Sequence, residues 1–512
     1  MLMVAAAAAM LAPMLTYPFG NDQGAFADVA DVIARGGVPY RDVWDIKTPG
    51  IYYLFWAIFA ALGRSVFSVR LADVLWTLAA AAVVAAVGRR LVSRWAGIAG
   101  AFFFLVFYAL GFDFWHTAQC DGFASLPLAL AALATLVAES RHSKLVAVAA
   151  GILVGLTALM KFTLAAFLLV PIAAAVLSRD EPRAARLARC ASYVGGCFLA
   201  LGAAALLLWK AGALKEMIYI VFVWNSHYGR LQPTASKLLV IPFQLARFHL
   251  AGAYLVLTLA GALALVGVID SLLRRRLTPH WWFLPAWWAI MLVGVCVQGK
   301  YFAYHWLPVL PPLGLLAGQG IAAIVGHSSR LLGQRAGRLS AVALALLLCC
   351  SFGAGYWKHF RQAIGYATGR ISAQEYMAQF ATPSGSYSAR ADLAVAEYVR
   401  SHTSARDTIF VWGTEPLIYF LSDRPLATRF IHSPPLLTPW SPPAWRQELI
   451  RDLQHRRPRL LLVVRKDPKP WVTTWQGDSA SALITYPELV QFISANYDPA
   501  ARIENFDIWQ RR

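Results

Sequence analysis

Between Asn21 and Gly50 the chain reads NDQGAFADVADVIARGGVPYRDVWDIKTPG, which gathers Asp22, Asp28, Asp31, Arg41, Asp42, Asp45 and Lys47 into one stretch. Only 14% of the chain is charged, so such a density next to apolar segments needs a reason. A carboxylate here can serve a helix terminus or take a proton from a hydroxyl group. Asp22 fits both roles. It precedes Phe26, Val29, Ala30 and Ile33, whose helical spacing predicts an amphipathic helix over 23–35 lying on a membrane surface and stopped by Gly36-Gly37. As an N-cap it would accept the backbone N–H of Gly24 or Ala25. As a general base it would profit from the same helix N-terminus, which favours the ionised form.

Other side chains of similar promise lie far along the chain. Asp121, in Gln119-Cys-Asp, opens an apolar run and reads as a helix cap or as a second carboxylate. Lys161 sits at the turn between two apolar runs, 145–160 and 162–177. It reads as a snorkelling lysine closing a hairpin, or as a functional cation kept despite its cost. Arg230 ends Asn225-Ser-His-Tyr-Gly-Arg, and Lys300, Tyr304 and His305 share a short loop with aromatic neighbours. Loop surface explains Arg230 equally well, and a backbone-bonded interfacial histidine explains His305.

The elements that must position these groups are mostly apolar helices. The chain has 512 residues, is 58% hydrophobic and has a mean hydropathy of +0.53. A soluble protein would carry about 25% charged residues. Apolar runs recur at 1–19, 66–88, 95–112, 123–138, 145–160, 162–177, 191–209, 250–269, 281–297, 306–325 and 339–355, which predicts about eleven transmembrane helices. The 51–62 run is too short to cross and reads as interfacial. The net charge of +19 comes in clusters such as Arg89-Arg90, Arg141 with Lys144, Arg183 to Arg189, Arg274 to Arg276 and Arg330 to Arg338. These fall in alternate loops, as the positive-inside rule requires. They place Asp22, Asp121, Lys161, Lys300 and the C-terminal region on one outer face, and 211–246 as a longer outer loop. No basic patch with interleaved aromatics occurs in a soluble segment, which argues against nucleic acid. Six cysteines show neither metal spacing nor a disulfide ladder.

From about Trp357 the composition changes. Helices predicted at 389–401, 445–455 and 486–496 alternate with strands at 407–412, 459–464 and 503–509, so residues 357–512 read as a small α/β domain outside the membrane. Residues 1–356 form the membrane domain, with a first outer loop at 19–65.

An Asp after the first span, an amphipathic helix, Gly37-x-Pro-Tyr-x-Asp42 and Asp45-x-Lys-x-Pro49 together resemble the GT-C glycosyltransferases, most closely glycosyltransferase family 39. That family includes protein O-mannosyltransferases, aminoarabinose transferases and rhizobial galacturonosyl transferases. Weaker echoes are Gln119-Cys-Asp121, the glycine-spaced run ending at Lys161, and Tyr304-His-Trp-Leu-Pro. The resemblance covers about residues 1–355. It implies a sugar donor on a polyprenyl phosphate, an acceptor deprotonated by Asp22, and inversion at the anomeric carbon. It implies that Lys47 holds the lipid phosphate and that Asp121 is the acidic residue of the second outer loop. Many members carry an acidic pair where this chain has Asp22-Gln23.

Departure of a polyprenyl phosphate builds negative charge that cations can stabilise. Lys47 leads that set, with Arg41, Lys161, Arg230, Lys300 and His305 behind it, while Asp45 and Tyr304 complete the substrate-binding candidates. The expectation is therefore a polytopic helical membrane protein of GT-C type with a C-terminal extracytoplasmic α/β domain. It would transfer a sugar to a lipid, protein or glycan acceptor at the periplasmic face of a bacterial inner membrane. No cofactor is obligatory; a divalent cation would need Asp45 and His305 to meet. The competing class is a non-catalytic polyprenyl-lipid binder or transporter, which would favour charged residues inside the spans. Here they gather in outer loops.

Overall fold

The computed structural model describes residues 2–178, 181–231, 240, 255–276 and 280–512. The chain forms two compact units that are not consecutive in sequence. The first comprises Met1–Tyr17, Phe67–Leu206 and Gln232–Ile364; the second comprises Pro18–Val66, Leu207–Leu231 and Gly365–Arg512.

The first unit is helical. Among the described residues, seven helices are long and apolar enough to cross a membrane: Val66–Leu91, Arg94–Gly111, Cys120–Arg141, Arg183–Lys210, Leu255–Leu273, Ala303–Leu332 and Gln334–Trp357. The other four predicted spans are shorter apolar helices: Ala6–Thr16, Lys144–Met160, Phe162–Leu177 and Phe283–Gln298. The first of them breaks into an α-helix, Leu2–Leu11, and a 3-10 turn, Ala12–Thr16, where Pro13 ends the regular hydrogen bonding. Residues 250–254 of the span predicted at 250–269 lie outside the described residues.

Small residues let these helices touch backbone to backbone. A Cβ added at Gly318 would lie 2.3 Å from the Ala96 carbonyl oxygen, and one at Gly320 would lie 2.0 Å from that of Leu263. The Ala303–Leu332 helix is therefore wedged between Arg94–Gly111 and Leu255–Leu273, in the small-residue packing that apolar solvent favours.

The second unit joins the first outer loop to the C-terminal region. The amphipathic helix is Asn21–Ala34 and the interfacial one Gly50–Leu62. Gly24 meets Leu417 so closely that an added Cβ would sit 2.7 Å from Leu417 Cβ and 2.9 Å from its Cα. Arg64 fastens the same helix by donating to Asp31 at 2.8 Å and to the Phe420 carbonyl at 2.8 Å. Residues 214–230, predicted as loop, are helical: Leu214–Ile218, a π-helical turn Tyr219–Trp224, and Asn225–Arg230. Their buried face, with Ile220 and Trp224, explains why they order. Residues 232–239 and 241–246 of that predicted loop lie outside the described residues.

The C-terminal region carries a four-stranded sheet in the order β1-β2-β4-β3. Strand β1 (Ile409–Trp412) runs parallel to β2 (Leu460–Val464), and β4 (Phe506–Arg511) pairs antiparallel with β2 and with β3 (Tyr497–Ile503). The strand β3 escapes the sequence pattern because its residues are largely exposed and include Pro499. Both are features of an edge strand. Ala389–His402, Pro443–Arg456 and Pro487–Asn496 are the predicted helices.

Candidate active site

In the second unit the site begins at the first turn of Asn21–Ala34. Gly20 is the N-cap, and its N–H donates to Gln23 Oε1 at 3.0 Å. Asp22 is thus not the cap, contrary to one sequence expectation, because the helix starts two residues earlier and Gln23 satisfies its end. The Asp22 carboxylate is left to face Lys47, whose Nζ lies 3.4 Å from Oδ2. Both side chains keep some exposure, 22% for Lys47 and 34% for Asp22.

The Lys47 backbone is held between two tyrosines. Tyr40, at a positive φ of 71°, donates its hydroxyl to the Lys47 carbonyl at 2.7 Å. The Lys47 N–H donates to the Tyr52 hydroxyl at 3.1 Å, and that hydroxyl donates to Asp45 at 2.8 Å. The Lys47 ammonium also lies 5.9 Å from the centre of the Phe26 ring, on the helix that carries Asp22. Trp44 fixes the other flank of the loop. Its backbone N–H donates to the Arg429 carbonyl at 2.8 Å, and its ring packs edge-on against Trp224 and His432.

Burial raises the pKa of Asp22, but the charges of Lys47 and Lys469 and the Lys47 hydrogen bond together hold it below the ordinary carboxylate range. Asp45 behaves oppositely: burial outweighs Lys47 and the Tyr52 hydrogen bond and lifts it to about 6. His432 is pushed down to about 3 by burial and by Lys469, so it is neutral. Tyr228 is pushed up to about 12 by burial, against the pull of Lys47. Glu415 is fully buried, and burial with the Asp392 charge raises it well above its usual value, opposed by Lys469.

Lys469, His432, Glu415 and Tyr228 had not been singled out from the sequence. Lys469 stands just past the carboxyl end of β2, where open sheets with parallel strands place functional groups. Asp467 braces that loop by accepting from the Ser479 N–H and Oγ at 2.8 Å each and from the Thr414 N–H at 3.1 Å. The one signal available was the charge run Arg465-Lys-Asp-Pro-Lys469 directly after an apolar strand.

Two other candidates of this unit stand apart. Arg41 is exposed, pairs with Asp42 at 2.7 Å and donates to the Ala211 carbonyl at 2.8 Å. Its guanidinium is thus engaged away from Lys47. Arg230 is exposed at the end of its helix.

In the first unit, Asp121 and Lys161 meet. Lys161 Nζ donates to both Asp121 oxygens, at 2.8 and 2.9 Å, and the carboxylate is 2% exposed. This replaces the separate expectations of a snorkelling lysine and of a helix cap. Lys161 has extended backbone between Lys144–Met160 and the 3-10 turn Phe162–Leu168, which aims it inward. Its ammonium lies 5.6 Å from the centre of the Tyr304 ring, and that ring meets His305 edge-on at 4.7 Å. Tyr304 and His305 are buried in the turn Ala303–Val309, and Lys300 is partly buried just before it. Asp45 and His305 belong to different units, and among the described residues no group of three His, Cys, Asp or Glu is placed to hold a metal ion.

Residues 46–209 match the family described as dolichyl-phosphate-mannose-protein mannosyltransferase. No curated protein matches the chain. Among solved structures, ArnT from Cupriavidus metallidurans in the apo state is similar with a TM-score of 0.60 at 16% identity, covering 99% of this chain and 97% of that one. The same protein bound to undecaprenyl phosphate gives 0.56 at 14% identity with the same coverage. The oligosaccharyltransferase AglB from Archaeoglobus fulgidus, in complex with an inhibitory peptide and a dolichol-phosphate, gives 0.52 at 12% identity over all of this chain and 74% of its own. With apolar helices through the first unit and an ArnT-like course from end to end, the chain is a multi-pass membrane protein with the fold of the GT-C glycosyltransferases.

Proposed function

We propose that this protein is an inverting glycosyltransferase of a bacterial inner membrane. It moves a sugar from a polyprenyl-phosphate donor to a lipid, protein or polysaccharide acceptor at the periplasmic face. The observation that carries this reading is the half-open Asp22–Lys47 pair at a helix N-terminus, a carboxylate and an ammonium 3.4 Å apart. In support, the similar ArnT and AglB structures hold undecaprenyl phosphate and dolichol-phosphate.

In the proposed reaction an acceptor hydroxyl attacks the anomeric carbon as the bond from that carbon to the phosphate oxygen breaks. Asp22 takes the hydroxyl proton. The bonding pair leaves with the polyprenyl phosphate, whose charge Lys47 stabilises. The two roles are linked. Lys47 keeps Asp22 ionised but a weak base while the donor is absent. A donor phosphate that drew the ammonium to itself would leave the half-buried carboxylate with less compensation and a higher proton affinity. Lys469 is assigned the companion role of retaining enough positive charge to keep Asp22 ionised. Asp121 and Lys161, with Tyr304 and His305, are assigned to sugar or acceptor hydroxyls, and Asp45 to support of the Lys47 loop.

The test is transfer by the purified protein in proteoliposomes, with a panel of radiolabelled polyprenyl-phosphate sugars and membrane extract as acceptor. Release of polyprenyl phosphate from one donor supports the reading. If no donor is bound or consumed, it fails.

A further inference from the structure

The first unit also holds a cavity at the end of its helices that carries the arginine clusters. It is lined by Leu91, Ser271, Arg274, His280, Trp281 and Gln319 among others; its enclosed part is a pocket of about 30 Å³, and it widens to about 350 Å³ only where its open mouth is counted. Its floor is a polar network inside the helices. Gln319 Nε2 donates to Asp270 Oδ2 at 2.9 Å and to Ser271 Oγ at 3.0 Å, and all three residues are buried. Buried polar groups within apolar helices are costly and mark sites more often than plain packing. Its lining carries a cation: Arg274 is held through Nε by Asp270 at 2.7 Å while 39% of its side chain stays open. Arg89, Arg90 and Arg275 are exposed neighbours in sequence of the lining residues Leu91 and Arg274, and Trp281 gives the amphipathic ring typical of a membrane boundary.

The geometry points to a binding site for the phosphate-bearing headgroup of an anionic membrane lipid, seated among Arg274, His280 and Trp281. Apolar Leu91, Val92 and Leu284 line the same cavity and suit the first carbons of the acyl chains. Clustered arginines mark the cytoplasmic side of a span, and that leaflet is where anionic headgroups concentrate. The neutral Gln319–Ser271 floor suits glycerol or headgroup hydroxyls. This site stands independently of the glycosyl-transfer reading.

The test is native mass spectrometry of the full-length protein, delipidated and titrated with phosphatidylglycerol, phosphatidylcholine or inorganic phosphate. One phosphatidylglycerol should bind about tenfold more tightly than phosphatidylcholine. Arg274→Gln should weaken it about tenfold. Since that change leaves Asp270 without its ion pair, His280→Glu, at an exposed position, provides a second variant that should weaken it as much without lowering thermal stability. Equal retention by wild type and His280→Glu, or equal binding of the two lipids, overturns the proposal. Displacement of the lipid by millimolar inorganic phosphate would make it a site for free phosphate instead and overturn the lipid assignment.

Discussion

The Lys47 ammonium lies 3.4 Å from the Asp22 carboxylate, across 25 residues of chain, because two tyrosine hydroxyls fix the lysine backbone and a glycine-capped helix presents the acid. If Lys47 holds the donor phosphate, Lys47→Gln should lose donor affinity. It should also move the acidic limb of the pH–rate profile upward. Burial raises the Asp22 pKa and Lys47 opposes it, so deleting the cation lets burial act. The ionised base is then lost at a higher pH as the medium is acidified. Lys469→Gln should shift the limb the same way while leaving donor affinity nearer to wild type. A limb unmoved in both variants would contradict the electrostatic account.

Asp45 offers a stability prediction with a definite sign. Its folded pKa of about 6 lies above its unfolded value, so the fold prefers the protonated acid, by roughly 3 kcal/mol. That contribution is complete below the unfolded pKa and is lost as pH rises through about 6. Asp45→Asn keeps an acceptor for the Tyr52 hydroxyl and carries no charge. It should raise the thermal midpoint at pH 7.5 and change it little at pH 4. Activity should survive; its loss in a well-folded variant would instead favour a role for Asp45 in holding a cation.

The Asp121–Lys161 pair separates structure from chemistry. Removing one partner of a buried ion pair typically costs about 3–5 kcal/mol, whereas removing both costs far less. Lys161→Met should therefore destabilise strongly, and Asp121→Asn with Lys161→Met should recover most of the stability. If the pair handles substrate, the double variant will be folded and still impaired at least tenfold. Full activity in it would reduce the pair to a scaffold.

Gly24, packed against Leu417, sets the place of the helix that carries Asp22. A Cβ there would run into the backbone of Leu417, which cannot yield as a side-chain tip would. Gly24→Ala should lower kcat by displacing Asp22 and leave donor binding by Lys47 largely intact. Unchanged turnover would show that the helix tolerates a shift.

The sequence displays the Asn21–Gly50 loop because its charge stands out against an apolar chain; that Asp22 and Lys47 lie side by side is seen only in the fold. The C-terminal helices are legible from their helical spacing, and β1 and β2 as short, wholly buried apolar runs; β3 is not, being an exposed edge with a proline. Lys469 and His432 bear on Asp22 from more than 400 residues away in the chain, in a region of ordinary composition. The charge run Arg465 to Lys469 after an apolar strand is the one local signal, and nothing local ties either residue to Asp22. Asp121 and Lys161 were each visible, but their partnership depends on helix packing over 40 residues.

The most direct test of the central claim compares Asp22→Asn with wild type, measuring donor binding and single-turnover transfer in the same preparation. The substitution keeps the shape of the side chain and removes its basicity. The account predicts retained donor binding with transfer reduced by about 10²–10⁴-fold, the usual contribution of a general base. Transfer at the wild-type rate in Asp22→Asn would contradict it.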